Sequence, residues 1–197
     1  MDVKRYAPHT GRYLDENNVA HNIIEHMTGA VKIIDNDHAY IHDGRLFTVP
    51  VFISALAASG TYKITFMTPL ATAGYMHYRP STISTSGDKV TVSLYEGSAD
   101  AAGGSAATPI NRNRVSTRVA GSVVTVGATV ATNGTLIDRA YVGGGTGTGA
   151  NRSGSETGVE SEIILKANTL HTIEVVNGSS AANNIFLMLK WYEEESA

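Results

Sequence analysis

Lys89-Val-Thr-Val-Ser-Leu-Tyr-Glu-Gly97 decides the fold class. Val90, Val92 and Leu94 fall on one face and Thr91, Ser93 and Tyr95 on the other, the period of two that a half-buried strand requires. A turn signature, Thr85-Ser-Gly-Asp88, precedes it. The pattern recurs to either side. Thr61-Tyr-Lys-Ile-Thr-Phe-Met67 sets Tyr62, Ile64 and Phe66 against Lys63, Thr65 and Met67. Residues 46–53 read as a strand broken at Pro50, which has no ladder donor and so predicts an edge or a bulge there. Gly74-Tyr-Met-His-Tyr-Arg79, residues 122–130 and Thr135-Leu-Ile137 have strand composition.

Toward the C-terminus, Glu162-Ile-Ile-Leu-Lys166, a turn at Ala167-Asn-Thr169, His171-Thr-Ile-Glu-Val-Val176 and residues 185–192 predict three strands of a meander. Glu193-Glu-Glu195 is expected to be a solvated acidic tail. Upstream, Val31-Lys-Ile-Ile34 is a short apolar run, and Ala39-Tyr-Ile-His-Asp-Gly44 with residues 46–53 predicts two strands around a tight turn at Asp43-Gly44. Residues 98–109 and 143–158 are dominated by Ala, Gly, Ser and Thr and are expected to be surface loops. About eight to ten short strands with almost no helix predict an all-β fold, an antiparallel β-sandwich or jelly roll.

Residues 1–30 lack sustained periodicity and predict an extended N-terminal arm ahead of a single domain over 31–197. Val19, Ile23 and Met27 offer a short helix over 18–27 within that arm. The polar N-terminus has no signal-peptide core, so synthesis in a cytoplasm is expected. No apolar run approaches the roughly 18 residues of a membrane helix, and no membrane partner is expected.

The 197 residues suffice for one sizeable core. Fifteen Lys and Arg against eighteen Asp and Glu leave a net charge of -3, a balance that argues against nucleic acid as a partner, since counterion release needs concentrated basic charge. The absence of cysteine excludes disulfides, thiolate metal sites and cysteine nucleophiles.

His38 and His42 have the i, i+4 spacing of a helical zinc pair, but a strand reading puts them about 13 Å apart. Asp35-Asn-Asp-His38 lacks the calcium-loop register, and the Gly143–Gly149 run lacks the Lys-Ser or Lys-Thr of a phosphate loop. No metal, cofactor or catalytic grouping is expected, and the chain reads as a non-enzyme. Asn111, Arg112, Asn113 and Arg114 are candidate partner-binding residues, because the arginine fork suits carboxylates; the competing reading is a turn whose Asn side chains cap the backbone. Tyr62, Tyr75, Tyr78, Tyr95, Trp191 and Tyr192 are candidates for core packing, subunit contact or a sugar-stacking face. Sequons at Asn133, Asn151 and Asn177 mean little without export.

His38-Ala-Tyr-Ile-His-Asp-Gly-Arg-Leu-Phe47, Gly60-Thr-Tyr-Lys-Ile-Thr-Phe-Met-Thr-Pro69, Thr108-Pro-Ile-Asn-Arg-Asn-Arg114, Leu165-Lys-Ala-Asn-Thr169 and Trp191-Tyr-Glu193 together resemble a family of small virion proteins of tailed bacteriophages. His38, His42, Asp43, Gly44, Trp191 and Tyr192 are motif positions in that resemblance. It implies a capsid decoration or cement protein on the outer surface of the virion head, with the major capsid protein as partner and a homotrimer or homodimer as its form. Arg5, Tyr6, Arg12 and Tyr13 in the arm are candidate anchors on a neighbouring subunit. A tail or head-fibre component and a glycan-binding module are the alternatives.

Overall fold

The computed structural model describes residues 6–7, 12–14, 20–22, 36–71, 74–86, 89–142, 152–154 and 162–194. The chain divides into two compact units, Met1–Ala39 and Tyr40–Ala197. In the first, β1 (Tyr6–Ala7), β2 (Arg12–Leu14) and β3 (Ala20–Asn22) form a small antiparallel sheet in that order. The expected arm therefore pairs with itself, and the expected helix over 18–27 gives way to a strand at β3. Val31-Lys-Ile-Ile34 lies outside the described residues.

Helix α1 (Asn36–His42) leads into a turn at Asp43-Gly44 and then β4 (Leu46–Leu56). This corrects the expected strand around Tyr40: helix, not strand, precedes the turn. The chain continues through β5 (Thr61–Met67), β6 (Tyr75–Thr85), β7 (Val90–Glu96), β8 (Ala99–Ala102), β9 (Ser105–Ala107), β10 (Ile110–Asn111), β11 (Val123–Val126), β12 (Thr129–Thr132), β13 (Thr135–Val142), β14 (Arg152–Gly154), β15 (Ile163–Leu165), β16 (Leu170–Asn177) and β17 (Asn183–Glu194). Two antiparallel sheets result. One runs β10-β4-β17-β6-β14, with β15 on the same flank of β6 as β14, and the other runs β13-β7-β16-β5-β11-β9.

The pairings are nested: β4 with β17, β5 with β16, β6 with β14 and β15, β7 with β13. Strands β4–β7 thus pair in reverse order with β13–β17, as in one long antiparallel hairpin, and β4 to β7 alternate between the two sheets. The two sheets face each other as an antiparallel β-sandwich. Residues 163–192 accordingly form strands, but not a meander: β15 and β17 belong to one sheet and β16 to the other. Residues 98–109, expected as loop, contain β8 and β9, and β10 follows directly. They belong to an insertion between β7 and β13 that extends both sheets beyond β4 and β5, while β8 and β12 form a separate two-stranded ribbon.

The core follows the period of two. Phe47, Val49, Val51 and Ile53 from β4 and Ile185, Leu187, Leu189 and Trp191 from β17 meet Ile64 and Phe66 of β5, Val90, Val92 and Leu94 of β7, and Ile173 and Val175 of β16. Pro50 is tolerated because β10 covers β4 only at Phe47 and Thr48, leaving Pro50 on an open edge among the described residues. Trp191 packs across both sheets, 6.0 Å from Phe47 and edge-on to Phe66 at 5.8 Å between ring centroids.

Candidate partner interface

Parts of the five segments that carry the resemblance, residues 44–47, 68–69, 111–112, 166–169 and 191–193, meet at one end of the sandwich. Trp191 and Tyr192 pair with Phe47 and Leu46. The Asn111 amide donates to the Gly44 carbonyl at 2.8 Å and to the Arg118 carbonyl at 3.0 Å, and the Arg112 N–H donates to the Leu46 carbonyl at 2.9 Å. Thr68 Oγ1 donates to the Lys166 and Thr169 carbonyls, and the Asn168 N–H donates to the Pro69 carbonyl at 2.8 Å. Gly44 sits at φ +67, the left-handed cap that ends α1. A side chain there would also collide with Ser116 Oγ, so glycine is required twice.

Within the 111–118 loop the competing, structural reading of the asparagines holds. Asn111 Oδ1 accepts from the Asn113 N–H at 2.9 Å, Asn113 Oδ1 accepts from the Val115 N–H at 3.2 Å, and the Asn113 amide donates to the His42 carbonyl at 2.9 Å. Asn111 is buried, whereas Arg112 and Arg114 are exposed on the loop it anchors. His38 and His42 both lie on α1 and are exposed, with Asp43 beside them. The strand spacing used to separate the two imidazoles therefore does not apply. Among the described residues no cluster of three or more metal-ligating side chains forms.

Glu193 corrects the expectation of a solvated tail. It is buried, and its carboxylate accepts from the Gly121 N–H at 2.7 Å, the Ser122 N–H at 3.1 Å, the Ser122 hydroxyl at 2.7 Å and the Trp191 indole at 3.1 Å. It ties the last strand to the 119–122 turn. Glu194 is half exposed and accepts from the Tyr40 hydroxyl at 3.4 Å. Glu195 lies outside the described residues.

Tyr192 is buried between aromatic partners, stacked at 3.8 Å on Tyr40 from α1 and at 4.3 Å on His77 from β6. Its hydroxyl donates to Glu162 at 2.6 Å; Glu162 also meets His77 Nδ1 at 2.8 Å and Arg79 Nε at 3.1 Å. Burial pushes the Glu162 carboxyl up, but Tyr192, His77 and the Arg79 charge outweigh it and hold the group below the usual carboxylate range. Burial first, and the bond to Glu162 second, push the Tyr192 hydroxyl far up, so it stays a donor at every physiological pH. This cluster was not read from the sequence, because Tyr40, His77, Glu162 and Tyr192 come from four separate segments. Its one sequence signal is the outward register of His77 and Arg79 on β6.

Trp191 and Tyr78 belong to the core, so a sugar platform cannot be built on them. In the first unit, Tyr6 stands opposite Tyr13, and Ala7 opposite Arg12, in the β1–β2 ladder. Arg5 lies outside the described residues. The Asn177 amide is buried against the carbonyls of Leu56, Ala57 and Ala181 at 2.8, 2.9 and 2.8 Å, so this sequon is structural. Asn151 is outside the described residues. No helix among the described residues is long and apolar enough to cross a membrane. No protein family, curated protein or solved structure matches the chain.

Proposed function

We propose that this chain is a non-enzymatic structural protein of a bacteriophage virion, a decoration or cement protein that binds the outer surface of the major capsid lattice and stabilises the mature head. The observation that carries the reading is the nested pairing of β4–β7 with β17–β13 in a two-sheet sandwich, an arrangement similar to that of viral shell and lectin domains. Fold alone does not assign function. A second support is that parts of the segments resembling phage virion proteins meet at one end of the sandwich through backbone-directed hydrogen bonds, as expected of residues selected to hold a shape.

The mechanism is lattice stapling. A protein that contacts neighbouring capsomers only in the expanded lattice stabilises that state by mass action. Repetition of a weak contact around a symmetry axis, in a homotrimer or homodimer, multiplies avidity. The test is co-sedimentation of the full chain with mature heads of its own phage, stripped of accessory proteins. Saturable binding at a fixed ratio to capsid subunits is the expected result. Failure to bind overturns the reading and moves it to a tail, head-fibre or glycan-binding role.

A further inference from the structure

Six of the large apolar side chains left exposed, Met67, Leu70, Ile110, Val115, Val119 and Val123, lie in two short stretches, 67–70 and 110–123. The fold brings these stretches to one end. Met67 stands opposite Val123 in the β5–β11 ladder, and Ile110 opposite Thr48 on β4. A Cβ placed on Gly121 would lie 3.3 Å from the Pro69 side chain. The Asn111–Arg118 bond closes the base of the loop, so Val115 stands on it and Val119 just beyond. Val115 is 90% exposed and Val119 82%, although the backbone around them is fixed by Asn111, Asn113, Ser116 and Glu193. A rigid turn that holds branched apolar side chains in water is costly in isolation and marks an interaction surface.

The rim supplies the chemistry of the partner. Among the described residues, Arg112, Arg114 and Lys166 are exposed around this end, against Asp43 and the half-exposed Glu194. The local charge is thus positive on a chain whose net charge is -3. We infer that this end is the docking surface, and that its occupant is a protein surface with an apolar depression flanked by carboxylates. Resting on the capsid-binding reading above, that surface belongs to the capsid subunit. Val115 and Val119 enter the depression while the two arginines meet the carboxylates, whose planar geometry their guanidinium forks match. Contact made by a preordered loop loses little freedom on binding.

The test compares four full-length proteins in co-sedimentation with stripped heads: wild type, Arg112→Glu/Arg114→Glu, Val115→Ser/Val119→Ser and, as a control farther along β4, Phe52→Ser. Equal melting temperatures establish that each variant is folded. The expected result is that both loop variants bind at least about tenfold more weakly while Phe52→Ser binds as wild type does, and that added salt weakens wild type more than the charge-reversed protein. Wild-type binding with undiminished binding by both loop variants overturns the docking surface and leaves the decoration reading standing. No binding by wild type overturns both. Loop variants that dissolve a wild-type oligomer without changing head binding overturn the inference by making a second copy the occupant.

Discussion

Four donors converge on the Glu193 carboxylate, and three of them come from residues about seventy positions earlier in the chain. Replacing Glu193 with alanine strands these donors in a buried site, which is expected to cost about 3 kcal/mol, read as a lower urea midpoint in equilibrium unfolding. His171 is a second buried polar residue. Its Nδ1 donates to the Thr169 carbonyl at 3.1 Å, and Nε2 lies 3.7 Å from Glu96. Burial depresses its basicity, with Thr169 and Glu96 opposing. The unfolded chain therefore takes up the proton first, near the usual histidine value of about 6.5, and stability falls as the pH drops below it. Glu162, also depressed, contributes stability that persists until the pH falls through its lowered value. Thermal melts from about pH 7 to about pH 5 are expected to show wild type losing stability relative to His171→Gln, with the Glu162 loss at lower pH. None of this was legible in the sequence. A terminal acidic run has no local sign of burial, and the partners of Glu193 are set by the fold.

Elements were legible where one face alone meets the core. β4, β5, β7, β16 and β17 each present apolar side chains at every second position, and each was read within a few residues. β8 was missed because its residues are all exposed, and β9 for nearly the same reason, so pairing rather than patterning defines them. Helix α1 was misread because Tyr40 and Ile41 favour strands in isolation. Its helical state is held from outside, by Tyr40 on Tyr192 and by the turn bonds at Gly44 and Arg45. Tyr40→Ala is accordingly expected to raise hydrogen-exchange rates of the 40–45 amides at least about tenfold while β4 and β17 stay protected. Unchanged exchange would show that the Gly44 turn suffices.

For the molecule as a whole, composition and alternation gave the sandwich, but not which strand lies beside which. A meander and a nested sandwich share their local patterns and differ only in distant partners. The pairings β4–β17 and β5–β16 span most of the second unit, a topology dominated by non-local contacts, and refolding is expected in the millisecond-to-second range, measurable by stopped-flow tryptophan fluorescence at Trp191. β16 and β17 also occupy the middle of their sheets, between strands made much earlier. On the ribosome, β4 and β6 therefore wait for the strand that joins them, as β5 and β7 wait for β16. Nascent chains arrested before residue 183 are expected to be digested by protease, and chains extended past residue 194 and clear of the exit tunnel to resist it. Because the strand that joins each sheet is made last, a polypeptide cut short by a damaged message is expected to yield no half-built sandwich that persists.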